Sequence, residues 1–419
     1  MGDTHVLAKG VQDHPPLPQA LAETSRRTAA GKVVLPDGCY FIAYGLLDGA
    51  SPSHAGTLRL DSRSGHLAAS ADLYAIDSSA TQSENNPPPI GSMPPPGSGI
   101  PIFPIKDYRL YLRVTKIEAT ETGFVLAFET HRFIVPTFLT LDGATSSQWA
   151  SESAFTAQMA PAAAPPGYPK GELFFVGDVS RTPIADEPQP DPIGRLQIGW
   201  VSPSLRKAVV EIDRVPDAKV PQDNGAGVTW RSTFQSFGWE MKPIVSDDDV
   251  TKSSNTPWNA ADVEAARQKF RDWADLDTEW RYYLLVASQI DTPGSRFGFM
   301  YHPQREALFI TSQFVFPQTE AQWGPLRGQR FDTTVAFFRT ALHEIGHAMG
   351  LGHNASGFHF MSPTESIAQD ASPDKPFPAN IDWSYDPNDE VRLRHWPDIV
   401  VRPGGAAMGA GGLLLPEPE

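Results

Sequence analysis

The chain has 419 residues, 40% of them hydrophobic, and carries 34 Lys plus Arg against 49 Asp plus Glu for a formal net charge of -15. That length implies two domains, and the acidic balance excludes nucleic acid and anionic membrane surfaces as main partners, since both need a basic face. No apolar run approaches the roughly 20 residues of a membrane span, the opening MGDTHVLAKG lacks the apolar stretch of a secretory signal, and one cysteine excludes an internal disulfide framework, so a soluble protein without membrane insertion is expected.

Residues 1 to about 30 are polar and include Pro15-Pro16-Leu17-Pro18, which reads as an extended arm. Short strand-like runs follow at Cys39 to Tyr44, Gly56 to Leu60 and His66 to Ala68, the last two joined across Ser64-Gly65. Residues 78–104 are rich in Ser, Asn, Pro and Gly and read as a long loop. Strand patterns resume at Tyr108 to Ile117 and Phe124 to Phe133, with a hairpin at Glu121-Thr122-Gly123. An Ala/Pro-rich break covers about 157–170, before Leu173 to Val176 and Arg195 to Trp200. Residues 31–204 therefore predict an all-β domain of sandwich or barrel type.

Beyond residue 205 helices and strands mix, as in an α+β domain over 205–402. Lys207 to Asp213 reads as a strand, Val228 to Phe237 as a helix and Glu240 to Val245 as a strand. Asn259 caps an amphipathic helix bearing Val263, Ala266, Phe270 and Trp273, with Asp262 in its first turn. Arg281 to Ile290, Phe297 to Tyr301 and Leu308 to Phe316 read as strands, and Thr333 to Met349 as a long helix. Pro387 to His395 places acidic residues first and Arg392, Arg394 and His395 last, as a helix dipole favours. Residues 403–419 are Gly/Ala-rich and read as a loose tail.

The chemistry concentrates in HEIGHAMGLGH, His343 to His353. A step of four residues brings His343 and His347 onto one helix face, where both reach one ion. Glu344 stands beside that face, placed to act as general base on a metal-bound water without being a ligand. Gly350 can end the helix in the left-handed conformation, so that the chain turns back to present His353. Three imidazoles leave a fourth tetrahedral position open, the pattern of a catalytic zinc; structural zinc sites are closed by four ligands and favour cysteine.

HExxHxxGxxH followed by Met361 in Phe360-Met361-Ser362-Pro363 resembles the metzincin zinc metallopeptidases, and the spacing and the proline look most like the matrixin branch. Pro363 stands where astacin-like and serralysin-like members place a tyrosine, so a fifth, tyrosine ligand is not expected, and Asn354 departs from the serine usual in matrixins. The resemblance implies a twisted mixed sheet, an active-site helix, a Met-turn beneath the metal and a C-terminal helix. It also implies a zinc-dependent endopeptidase that hydrolyses peptide bonds through a zinc-bound water activated by Glu344. Its substrate would be a protein or peptide, and the secreted habit of the family sets an extracellular location beside a cytoplasmic one. A zinc hydrolase acting on a cell-wall or other non-protein amide, and a binding protein with a vestigial metal site, are the alternatives. The 31–204 region carries no family resemblance.

Other residues have weaker claims. An extended substrate needs a strand edge, for which Arg296 to Tyr301 is the candidate, so Phe299 and Tyr301 join Pro363 and Thr364 as candidate substrate contacts. His359 reads as a surface or supporting residue, because three histidines already complete the site, and His302, in Tyr301-His302-Pro303, as a loop residue. Cys39, in Pro36-Asp37-Gly38-Cys39, reads as a buried strand start and not as the thiolate of a latent enzyme. Asp247-Asp248-Asp249 could bind Ca2+ but lacks the spaced oxygen ligands of a calcium loop.

Overall fold

The computed structural model describes residues 33–47, 52–63, 67–76, 99–133, 149–183, 190–252, 256–272, 278–290, 297–301 and 305–406. The expectations for the arm 1–30, the Ser64-Gly65 turn, most of the 78–104 loop, Trp273, Arg296, His302 and the tail beyond 406 lie outside these residues.

Eight antiparallel strands form a closed barrel, each paired with its sequence neighbour and the last with the first. They are β1 (Gly38–Leu46), β2 (His54–Asp61), β3 (Ala68–Ala75), β4 (Tyr108–Ala119), β5 (Phe124–Phe133), β6 (Trp149–Pro161), β7 (Phe174–Arg181) and β8 (Gly194–Ser202). Of the two architectures expected, the barrel is the one formed. The period of two explains it: Tyr40 and Ile42, Leu58 and Leu60, Ala69, Ala71 and Leu73, and Leu196, Ile198 and Trp200 all enter one buried interior cluster. Closure comes from β1 against β8, with Tyr44 opposite Leu196 and Ile42 opposite Ile198.

Two strand expectations need correction here. Of the run expected at His66 to Ala68, His66 lies outside the described residues, and the strand observed is Ala68–Ala75, because Ser70 and Asp72, polar in sequence, are buried outward against charged partners. Residues 149–161, expected as a break from 157 onward, form β6 between β5 and β7. Its Ser/Ala content hides a weak alternation in which Ala157 and Met159 enter the interior cluster and Phe155 packs against it.

The second unit holds a five-stranded sheet of order β10-β9-β11-β13-β12. In chain order its elements are β9 (Arg206–Arg214), α1 (Trp230–Ser236), β10 (Trp239–Val245), α2 (Ala260–Phe270), β11 (Arg281–Ala287), β12 (Gly298–Tyr301), β13 (Ala307–Thr311), α3 (Val335–Ala348), α4 (Thr364–Gln369), α5 (Pro387–His395) and α6 (Asp398–Val401). β9, β10, β11 and β13 run parallel, while β12 lies antiparallel on the edge beside β13. Thr229 and Asn259 each cap their helix with a reciprocal box, to Ser232 and Asp262. The strand expected to run from Leu308 to Phe316 stops at Thr311. Phe314 and Phe316 leave the ladder to pack with Phe297, Trp323 and Phe331 in an aromatic cluster. The molecule is thus mixed α+β, a barrel followed by a mixed sheet with helices.

The two units meet through buried charge. On the outer face of β2 and β3, Arg59 pairs with Asp72 at 2.5 Å and with Asp398 at 2.9 Å, and Arg206 reaches Asp398 at 3.1 Å. Arg394 pairs with Asp61 at 2.8 Å, and the Tyr111 hydroxyl donates to the His395 carbonyl at 2.8 Å. Arg206 also donates to the carbonyls of Leu393 and Trp396. α5 and α6 are therefore bolted to the barrel wall. No helix among the described residues is long and apolar enough to cross a membrane.

Candidate metal centre

α3 is the buried helix of the second unit. Phe337, Phe338, Ala341, Leu342 and Ile345 belong to the same buried cluster as Leu284, Val286, Leu308 and Ile310 of the sheet. Its apolar content fixes which way the polar stripe of His343 and His347 must point. The helix ends in a Schellman arrangement: Gly350, at φ +89°, donates its N–H to the His347 carbonyl at 2.9 Å, and Leu351 donates to the Gly346 carbonyl at 3.0 Å. The chain then reverses and brings His353 back over the helix.

The three Nε2 atoms converge, 3.1 Å apart for His343 and His347, 3.1 Å for His347 and His353, and 3.2 Å for His343 and His353. Nitrogens bound at about 2.0–2.1 Å to a tetrahedral ion would stand roughly 3.3–3.4 Å apart, so the triangle fits zinc closely. The opposite ring atoms are already engaged. His343 Nδ1 lies 2.6 Å from the Phe360 carbonyl and His347 Nδ1 2.8 Å from the Leu351 carbonyl. A carbonyl only accepts, so each of these Nδ1 atoms carries the proton and its Nε2 turns a lone pair toward the shared centre. Lone pairs facing one another at this range repel unless a cation lies between them. Burial lowers His343 well below the usual imidazole value, takes His347 down to about 4 and lowers His353, keeping all three neutral as ligands must be. Among the described residues this is the only His/Cys/Asp/Glu group with metal-ligand spacing.

Glu344 is buried, and burial pushes its carboxyl up to about 8 against the opposing pull of Arg339. A Cβ on Gly298 of the edge strand would fall 3.0 Å from Glu344 Oε1, so the carboxylate faces β12 across a gap that only glycine leaves. Phe299 instead packs on Phe309, on the opposite face of the sheet by strand alternation. Tyr301 closes the same edge strand. Met361 sits fully buried in a tight turn closed by Ser362 N–H donating to the His359 carbonyl at 3.1 Å. Its sulfur lies beneath the helix at Gly346, where a Cβ would approach it to 2.3 Å.

Comparison with protein-family profiles, with curated proteins and with solved structures finds no match. Thr364 is buried and spends its hydroxyl accepting from Arg339 at 2.7 Å, while Pro363 precedes α4 as its cap. His359 pairs with the Ser384 hydroxyl at 3.1 Å and stands outside the triad. Cys39 is buried in β1, and burial raises its thiol to about 12. Asp248 pairs with Arg214 at 3.1 Å, and Asp213 accepts from the Asp247 N–H at 3.0 Å.

Sequence reasoning missed two residues that hold the centre together. Arg339 lies four residues before His343 on the same stripe and is fully buried. Its guanidinium donates to the carbonyls of His359 at 3.0 Å, Phe360 at 2.7 Å and Ser362, clasping the Met361 turn. Asp389 of α5 accepts from the Asn354 amide at 3.0 Å, and the Asn354 N–H donates to the Met361 carbonyl at 3.1 Å, which fixes the loop just after His353. A lone arginine in VAFFRTALHEIGHA was a visible signal; Asp389, 35 residues from its partner, was not.

Proposed function

We propose that the chain is a zinc-dependent endopeptidase of metzincin type, close to the matrixin branch, with His343, His347 and His353 as ligands and Glu344 as catalytic base. The observation that carries this reading is the triangle of Nε2 lone pairs with Nδ1 protons tied to backbone carbonyls, beside a buried carboxylate. Zinc, when bound, supplies a Lewis acid that polarises a scissile carbonyl and acidifies water. Glu344 takes a proton at its carboxylate as water attacks the peptide carbon, and returns it to the departing amine nitrogen. Burial alone holds Glu344 protonated at neutral pH, so the role requires a dication at the triad, whose charge would draw the carboxyl back to its ionised form. The edge position of β12 supports main-chain pairing of an extended substrate along 298–301, with Gly298 letting the peptide pass close to Glu344.

The test is hydrolysis of a quenched fluorescent peptide library by zinc-loaded protein, with and without a chelator. Turnover should vanish on chelation and return with zinc. Glu344→Gln should lower kcat on the order of 10³-fold or more while zinc stays bound, as loss of a general base predicts. A variant that hydrolyses at the original rate would remove Glu344 from the chemistry.

A further inference from the structure

Among the described residues, the barrel interior is filled at one end and leaves a cavity at the other. Where the short β4–β5 hairpin turns, Phe124 and Phe175 pack ring to ring at 5.1 Å, with Met159 and Trp200 in the same cluster. At the opposite end a cavity of about 190 Å³ remains, walled by Leu73, Leu110, Leu112, Phe128, Val179 and Leu196. Protein interiors seldom keep voids larger than a water molecule, and a barrel of eight strands is the size at which side chains either fill the interior or leave room for one small ligand. Among the described residues of the lining, Thr130 donates to the Ser153 carbonyl at 3.3 Å, and Glu152 is paired with Arg132 at 2.9 Å, which balances its charge. Leu46, Leu47 and Ile193 are exposed on the same rim and give an apolar approach. Diagonally across from Tyr44, Gly194 provides space for the ring, since a Cβ there would fall 2.6 Å from the phenol.

We propose that this end of the barrel binds a small uncharged apolar molecule, about the size of one substituted aromatic ring, at a site separate from the metal centre. An apolar cavity of about 150 Å³ holds benzene, so this slightly larger one takes a ring with one or two further carbons. An uncharged ligand follows from the paired carboxylate, because an ion would meet leucine and phenylalanine walls with no counter-charge.

The experiment titrates full-length protein with p-xylene, read by saturation-transfer NMR and calorimetry. Saturable binding to one site is expected, together with a Tm that rises with p-xylene concentration. Val179→Phe and Leu196→Phe fill the space and should abolish the NMR signal with zinc content unchanged. Absence of saturable binding to the unmodified protein overturns the proposal, as does a folded Val179→Phe protein that binds p-xylene as tightly. Should neither filled variant fold, Leu110→Ala enlarges the cavity and must shift preference from p-xylene toward naphthalene; an unchanged preference also overturns it.

Discussion

Arg339 brings a positive charge to the edge of a site that could hold a dication. Burial pulls its pKa down to about 9, against the pull of Glu344 and Tyr385 upward, so it stays charged at neutral pH. What holds it there is the set of carbonyls of the Met361 turn, which it satisfies all at once. Arg339→Met leaves those acceptors unpaired and should cost about 2–4 kcal/mol in unfolding free energy. Because outer partners of a metal site tune it by about 10–100-fold, zinc affinity measured by chelator competition should weaken within that range. Arg339→Lys keeps the charge without the fork and should recover only part of either loss; full recovery would show that charge alone matters. The histidines and Glu344 were legible in the sequence because their geometry is set within a helix and one turn. Asp389 was silent, since an aspartate in a helix gains meaning only from Asn354, which the fold brings to it.

At the scale of elements, the end of α3 couples helix geometry to ligand geometry. Gly350 adopts positive φ, and a Cβ there would stand 3.0 Å from the Val400 carbonyl of α6. Gly350→Ala should therefore destabilise the protein by about 1–2 kcal/mol through backbone strain, and should weaken zinc binding as His353 moves. Thermal unfolding with and without zinc separates the two effects: a variant whose Tm falls equally in both would uncouple the turn from the metal. The same scale explains which elements could be read from sequence. α5 follows its charge pattern, acidic first and basic last, over the full expected span, and the structure adds Asp386 as its cap. β6 escaped because Ser and Ala carry little strand propensity, and its place depends on neighbours on both sides. β13 was overextended because Phe314 and Phe316 look like strand residues but serve an aromatic cluster.

For the whole molecule, the wall between barrel and sheet is a buried ionic layer. Removing one member of such a layer strands its partners; Asp398, shared by Arg59 and Arg206, is the clearest case. His395 lies inside this layer, with Nδ1 3.2 Å from the Ser70 hydroxyl and Nε2 3.7 Å from Asp61. Burial lowers it to about 4, outweighing the raising effect of Asp61. A histidine that titrates lower in the folded than in the unfolded chain resists protonation, so the unfolded state gains protons first as pH falls. Stability should drop between about pH 6.5 and 4, by up to roughly 3 kcal/mol from this residue. Denaturant unfolding across that window should show a shallower loss in His395→Gln than in the unmodified protein. A parallel pair of curves would place the acid sensitivity elsewhere. An all-β unit was legible as a run of alternating strands, but its closure into a barrel and its fusion to α5 and α6 were not, since Arg59, Asp72 and Asp398 are spread across the chain.

The most direct measurement is the metal itself: elemental analysis after zinc loading and exhaustive dialysis, with X-ray absorption on the loaded protein. One zinc per chain is expected, held by three imidazole nitrogens at about 2.0–2.1 Å and lost in His347→Ala. Protein that retains no transition metal, or a His347→Ala variant that retains as much as the unmodified chain, would contradict the account at its root.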